Sequence, residues 1–543
     1  MFQSIARRIA DGAASDRICY RFLDRGETES ATLTFAGLDE RARALAAGLL
    51  GIATPGDRIL LVFEPGPDFL EALVACIYAG LVAIPAPAPR PGASLERLEG
   101  VARSSSARLI LTSAGIRDLL GKRNALRAAR TVAVEELAAA PGDASPPGFD
   151  LGPRDPVLIQ YTSGSTLEPR GVVLDSACIS ANVAEMIRAL RLREGEEVFV
   201  NWMPHFHDMG LIGSFLLPLL SRGEMVHMPP LSFVQKPARF LEAVSRYRGT
   251  MCGGPPLALD MCVDRVPDAV IDSLDLSSWR IVFCGAEPVF ESCLGRFRRR
   301  FARAGVRPES VFSVYGLAEV TVYAAGTPPR ADSVGTAGAG PADRAPCFLD
   351  SGNRGNLCIV GDDGLPIPEG REGEIWVTGP SVAARYLDDP EATARVFGNR
   401  IVGDDRLWVR TGDLAILDGD ALRITGRIKD VLIRAGANIA AADVERIAVE
   451  GRTRLNRNGA AAFQLDGAGT PVVLLVEKER GPWDAADEPE LVRGIRGSVQ
   501  KALGIGLDEV RILEPGALPR TTSGKIQRSE ARAGWTRRIE AAA

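Results

Sequence analysis

The residues able to do chemistry gather in a few short stretches of this chain. The sharpest is QYTSGSTLEPRG (160–171), where an apolar run ends in Thr162, Ser163, Gly164, Ser165 and Thr166 and a cation, Arg170, follows. Glycine lets backbone approach an anion, hydroxyls and exposed N–H groups donate to its oxygens, and a guanidinium neutralises charge, so the loop suits phosphate. The same composition also makes ordinary turns, and the GxxxxGKS/T spacing of a Walker loop is absent. His205, His207 and Asp208 form HxHD. Two imidazoles on an extended segment can ligate metal, but no acidic or cysteine cluster completes a site, and buried structural histidine is the plainer reading. The run RFRRRFAR (296–303) invites a nucleic-acid reading, but such a run is usually the solvated face of a helix, and it could equally meet an acidic protein. GAGPAD (338–343) lacks dinucleotide-loop spacing, and no GxSxG anchors a serine hydrolase.

Those stretches need a scaffold. Apolar runs RILLVFE (58–64), ARLILT (107–112), PVLIQYT (156–162), RIVFCG (280–285) and SVFSVYG (310–316) alternate with helical segments, which predicts a mainly parallel sheet with crossover helices. Such sheets bind ligands at strand C-termini. In 175–192, Asp175 or Ser176 caps a helix whose apolar residues recur every three to four positions. HMPPLSFVQKPA (227–238) and TPPRADSVGTAGAGPADRAP (327–346) read as loops. From GEIWVTG (373–379) to LRITGRI (422–428) the alternation predicts antiparallel strands. From about 429 a shorter pattern follows, with helices at 441–450 and 488–503 and the strand PVVLLVEK (471–478) between them. The expected fold is α/β: a large N-terminal domain (1–426) of mixed sheets with crossover helices plus a β-rich subdomain, and a small α+β C-terminal domain (427–543).

Composition agrees with several cores, since 543 residues exceed one domain of roughly 100 to 200. Subtracting 69 acidic from 64 basic residues leaves a net charge of -5, so no broad positive field exists to hold nucleic acid. Nine cysteines without a CxxC predict reduced, cytoplasmic thiols, and the N-terminus lacks the apolar core of an export signal. The uncharged stretch Ala72–Pro89 has 18 residues, but its three prolines favour a buried helix turning into a buried strand over a membrane span.

Taken together, the motifs resemble the adenylate-forming superfamily. QYTSGSTLEPRG is similar to its YTSGSTGxPKG signature, and WMPHFHDMGLIG (202–213), FCGAEPV (283–289), VYGLAEVT (314–321), VRTGDLA (409–415), TGRIKDVLIRAGANI (425–439) and LPRTTSGKIQR (518–528) follow in the family's order. Within it the chain looks most like fatty acyl-AMP ligases. The resemblance implies attack of a carboxylate on the α-phosphorus of ATP, release of pyrophosphate, and transfer of the acyl group to a thiol. It implies that Lys525, by default a solvated lysine, lies on a mobile C-terminal lid and reaches the carboxylate and α-phosphate. Asp413 would accept from the ribose hydroxyls with Arg427 beside it, and Tyr315 and Gly316 would lie against adenine, opposite Gly285, Ala286 and Glu287. Glu319 would hold Mg²⁺. His207 would gate the acid pocket, with Asp208, Met209, Gly210 and Phe233 in its wall, a wall that could equally be plain core, and Lys429 would be the hinge.

Three departures mark this chain: Leu167 where glycine is common, Arg170 where lysine is common, and RAGANIAAAD (434–443) without the usual aromatic and proline. Arginine presents a planar fork instead of a point charge, so pyrophosphate-side contacts differ. The insertion that accompanies poor CoA use looks short here, at about 324–357. An acyl carrier protein is the favoured acceptor, free CoA the alternative, and a non-catalytic nucleotide-binding scaffold the alternative of another class.

Overall fold

The apolar runs fold as strands buried on both faces, but they are divided between two sheets. The computed structural model describes residues 2–89, 95–120, 129–137, 145–162, 170–330, 343–434, 437–465, 470–521 and 524–542. One seven-stranded sheet runs Val311–Ser313, Ile281–Cys284, Met251–Gly254, Val198–Asn201, Glu224–His227, Ile18–Asp24, Thr28–Thr34, parallel except for the last hairpin. The other runs Arg385–Tyr386, Gly171–Asp175, Pro156–Tyr161, Val82–Pro87, Arg58–Phe63, Leu109–Thr112, Arg130–Ala133, with its first two strands antiparallel to their neighbours. A run apolar on both faces reads alike in either sheet, so the sequence pattern leaves the assignment open.

The helix Pro67–Tyr78 is buried almost throughout and turns into the strand Val82–Pro87, as its prolines suggested. Among the described residues no helix is long and apolar enough to cross a membrane. The helix Ser176–Ala189 is capped by Asp175, whose carboxylate accepts from the Cys178 N–H at 2.7 Å. The segment 227–238 is not a loop. It ends the strand Glu224–His227 and forms the helix Pro230–Gln235. Proline breaks helix interiors, yet Pro230 sits at the first helical position, where its fixed φ costs nothing.

A five-stranded antiparallel sheet follows in the order Cys347–Phe348, Ala421–Arg427, Val409–Asp418, Glu372–Val377, Leu357–Val360. Beyond it, residues from Leu432 to Ile512 make a separate apolar core around the helices Ala441–Val449 and Glu488–Leu503 and the strands Leu455–Gln464, Val472–Lys478 and Glu509–Leu513. The basic run lies on the helix Glu291–Phe301 and its end, where Arg296 pairs with Asp260 at 2.6 Å and Arg298, Arg300 and Arg303 pair with Glu291, Asp268 and Asp268. Most of its charge is therefore met within the chain.

Candidate active site

A cavity of about 1240 Å³ opens where the parallel strands of both sheets end. The strand Pro156–Tyr161 delivers Thr162 to it, Ile281–Cys284 delivers Ala286 and Glu287, and Val311–Ser313 delivers Tyr315 to Glu319. This is the strand-end position at which open sheets hold ligands. The volume exceeds the roughly 300–1,000 Å³ of a typical small-molecule pocket. Its lining includes the apolar or aromatic side chains of Met186, Leu190, Met251, Phe283, Val322 and Tyr323.

Asp413 anchors the polar side. It is directly opposite Arg427 across the antiparallel pair Val409–Asp418 and Ala421–Arg427, and cross-strand register alone brings Arg427 Nε to within 2.6 Å of Asp413 Oδ1. The Tyr315 hydroxyl donates to the other carboxylate oxygen at 2.8 Å. Glu374 buttresses the approach to Asp413. It accepts from Arg410 Nε and Nη2 at 3.0 and 2.9 Å and from the Gly412 N–H at 3.0 Å.

Glu319 lies on a short 3-10 turn and accepts from the Tyr386 hydroxyl at 2.5 Å. Burial pushes its carboxyl up, with Tyr386 pulling the other way. The chain then folds through Thr321 at φ 72°, ψ −67°, a γ-turn closed by the Val322 N–H on the Val320 carbonyl at 2.9 Å. A β-branched residue there stores ~1–3 kcal/mol of strain. Its hydroxyl donates to the Ser381 carbonyl at 2.8 Å, which helps hold it. Arg170 stands over the Tyr386 ring at 5.7 Å and 3.6 Å from Asp389.

The HxHD residues diverge. His205 is 1% exposed, packed 4.1 Å from the Phe69 ring, and burial lowers its pKa to about 3. His207 faces the cavity and meets Asp208 Oδ1 through Nδ1 at 2.7 Å. Burial alone would raise the Asp208 carboxyl, but His207 and Lys525 bring it below its ordinary value. A π-helical turn at Ile212–Leu216 follows directly, as such turns often do beside functional sites. Among the described residues no group of three His, Cys, Asp or Glu forms a metal cluster.

Lys525 enters from the C-terminal unit. An isolated bridge between Arg520 and Ile526, the Thr521 N–H on the Lys525 carbonyl at 2.7 Å and Gly524 at φ +89° shape the turn that presents it. Leu257 lies 3.5 Å from where a Gly524 Cβ would be, so this turn rests on the large unit. Burial lowers the lysine's pKa, while Glu287 and Asp208, which line the same cavity, pull it upward. Burial likewise raises Glu287, opposed by Lys525.

The cavity thus brings together Thr162, Arg170, His207, Asp208, Met209, Ala286, Glu287, Tyr315, Gly316, Glu319, Asp413, Arg427, Lys429 and Lys525. Ser163, Gly164, Ser165 and Thr166 lie outside the described residues. At Gly210 and Gly285 close packing excludes a side chain, since a Cβ would come within 2.1 Å of the Pro204 carbonyl oxygen or 2.6 Å of that of Val314, which leaves only their backbone to border a ligand. Phe233 is not brought to the cavity. It stacks on Trp202 with ring centroids 4.0 Å apart and is 1% exposed, so core packing has claimed it. Three contributors escaped the sequence reading: Glu374, Tyr386 and the pair formed by Arg344 with Asp443. Arg344 Nη2 donates to Asp443 Oδ1 at 2.7 Å and to the Thr425 carbonyl at 2.9 Å, and Phe290 lies 4.3 Å from the Arg344 guanidinium and 5.1 Å from that of Arg446. Residue type and spacing carried no signal for a contact spanning about a hundred positions.

Residues 7–387 match the family model described as AMP-binding enzyme. The chain is 31% identical to the medium-chain-fatty-acid–acyl-carrier-protein ligase TtuA of Teredinibacter turnerae over 95% of its own length and 90% of that protein's. It is also 31% identical to the long-chain-fatty-acid–AMP ligase FadD23 of Mycobacterium tuberculosis, over 96% and 93%. A solved structure from a study of fatty acyl-adenylate ligases of E. coli and L. pneumophila superposes with a TM-score of 0.86 at 28% identity, covering 100% of this chain and 99% of that one. With a family match over more than half its length and relatives aligned nearly end to end, this chain belongs to the AMP-binding enzyme family.

Proposed function

We propose that this chain is a fatty acyl-AMP ligase: it joins a fatty acid to the AMP moiety of ATP, releases pyrophosphate, and passes the acyl group to the phosphopantetheine thiol of an acyl carrier protein. The observation that carries this reading is the convergence of Lys525, Asp413, Glu287 and Asp208 with Thr162 and Arg170 around one cavity whose lining also includes apolar side chains. The relatives' names support the acid and the carrier.

The division of labour follows from charge. Adenylation brings an anionic carboxylate against an anionic phosphate, so positioning and cationic stabilisation dominate its barrier. Lys525 lies between the attacking carboxylate oxygen and the α-phosphate and offsets the charge of both. Asp413 accepts from the ribose hydroxyls while Arg427 and Tyr315 hold it in place. Tyr315 and Gly316 form one wall for adenine, and Gly285, Ala286 and Glu287 the other. Ser163, Gly164, Ser165 and Thr166, with Thr162 and Arg170, cradle the outer phosphates. His207, oriented by Asp208, admits the carboxylate beside Met209 and Gly210.

Glu319 fits Mg²⁺ in one respect: one carboxylate ligand, standing outside any group of three metal-ligating side chains among the described residues, suits a hard cation that keeps water and phosphate oxygens as its other ligands. Bound there, Mg²⁺ would neutralise phosphate charge. We assign residues 1–426 to the acid- and ATP-binding domain and 427–543 to a mobile lid that pivots at Lys429. Nine free cysteines, eight of them buried, support a cytoplasmic setting.

Incubation with Mg-ATP and a panel of fatty acids, followed by mass spectrometry, tests the reading. We expect pyrophosphate and acyl-AMP, and thioester with carrier protein faster than with free CoA. No acyl-AMP from any carboxylic acid would overturn the proposal, and equal or faster thioester formation with CoA would replace the carrier by CoA.

A further inference from the structure

Gln160 stands in the motif that opens the phosphate loop, yet none of the roles above uses it. It is the penultimate residue of the strand Pro156–Tyr161, it is 2% exposed, and it lines the cavity. Its side-chain amide nitrogen Nε2 donates to two carbonyl oxygens, Tyr161 O at 3.2 Å and Phe206 O at 2.9 Å. Both acceptors are backbone carbonyls, so the orientation of the amide is fixed: reversing it would set oxygen against oxygen. Tyr161 immediately precedes Thr162, whose N–H closes the base of the phosphate loop on the Arg170 carbonyl at 2.9 Å. Phe206 immediately precedes His207. One NH₂ group therefore ties the base of the phosphate loop to the turn that carries the His207 imidazole, two segments 46 residues apart.

We propose that Gln160 is a positioning residue for adenylation, a brace that sets the distance between the Thr162–Arg170 pair and His207 and through it the approach of the acid to the nucleotide. The inference rests on the ligase reading above. Among the described residues that border the site, His205 packs in an aromatic cluster, and Arg296 and the half-exposed Arg457 are met by Asp260 and Asp264.

The test is a double-mutant cycle on pyrophosphate release with Mg-ATP and a fatty acid. Gln160→Met keeps the volume and removes both donors. Gln160→Glu keeps the shape and sets a carboxylate oxygen against the Phe206 carbonyl, and it serves also if the methionine variant fails to fold. In each we expect kcat/KM for the acid to fall by ~10-fold, about 1.4 kcal/mol, with a rise in KM for the acid. In a His207→Ala background the same substitution should cost less than about 2-fold, because its effect runs through the His207 turn. Additive losses in the two backgrounds, or a fall in active fraction and Tm with KM unchanged, would show a purely structural residue and overturn the brace. Wild-type protein inactive with every acid would instead sink the ligase reading, so the two failures are distinguishable.

Discussion

If residues 427–543 are the mobile lid proposed above, Lys525 reaches the cavity only while that lid is docked, and the buried ion pair Arg344–Asp443 joins it to the rest of the chain. The Arg344 side chain is 3% exposed and that of Asp443 14%, with 2.7 Å between them. Asp443→Ala leaves a buried guanidinium with the Thr425 carbonyl as its one remaining acceptor among the described residues. Deleting one partner of a buried pair costs ~3–5 kcal/mol when water cannot enter. On the proposal that residues 427–543 form a mobile lid, opening hydrates Arg344, so the docked arrangement alone bears the cost, and a charged hydrogen bond of ~2 kcal/mol is the better measure. That lowers the docked-to-open ratio by ~30-fold. Adenylation, read as pyrophosphate release, should fall by ~10–30-fold, while transfer from chemically made acyl-AMP to carrier protein should change by less than about 3-fold. Asp443→Asn, which keeps an acceptor, should fall between wild type and alanine. An equal loss in both half-reactions would refute the docking argument, and so would unimpaired adenylation.

Lys525→Ala should lower adenylation by ~100-fold or more, typical of removing one charge-stabilising donor, with acyl transfer from acyl-AMP reduced less. Burial lowers the lysine's pKa, so adenylation should decline with rising pH below the ordinary lysine range, and Lys525→Arg should remove that limb because guanidinium stays charged; a rate–pH profile identical in both would contradict the assignment. Asp413→Asn strips Arg427 of its counter-charge and should raise KM for ATP by ~10-fold or more with little change in KM for the acid, as measured by initial rates. His205 titrates at about 3 in the fold against an ordinary ~6.5, so its contribution to stability is whole above that ordinary value and is lost as pH falls through this window. Thermal melts should show His205→Leu with a shallower acid destabilisation than wild type, and parallel slopes would exclude the effect.

Residue type and local spacing determined much of this protein. The glycine-flanked hydroxyl loop and the strand runs that precede Thr162, Glu287 and Tyr315 are local patterns, written by backbone sterics and hydrogen-bonding capacity within a dozen residues, whereas Asp413 and Lys525 stood out only through the resemblance of their motifs to a known family. Register even placed Arg427 opposite Asp413 once the two strands were known to pair. What needed the tertiary structure was everything settled by competition for burial. Two sheets share runs of the same hydrophobicity. Of two histidines two residues apart, one went to an apolar cluster and the other to the cavity. Phe233 was taken by Trp202, and Pro230 began a helix where prolines suggested a loop. Tyr386 against Glu319 and Arg344 against Asp443 are pairs set by where distant chain segments come to rest, and no local pattern encodes which of many equivalent hydroxyls or guanidinium groups will arrive there.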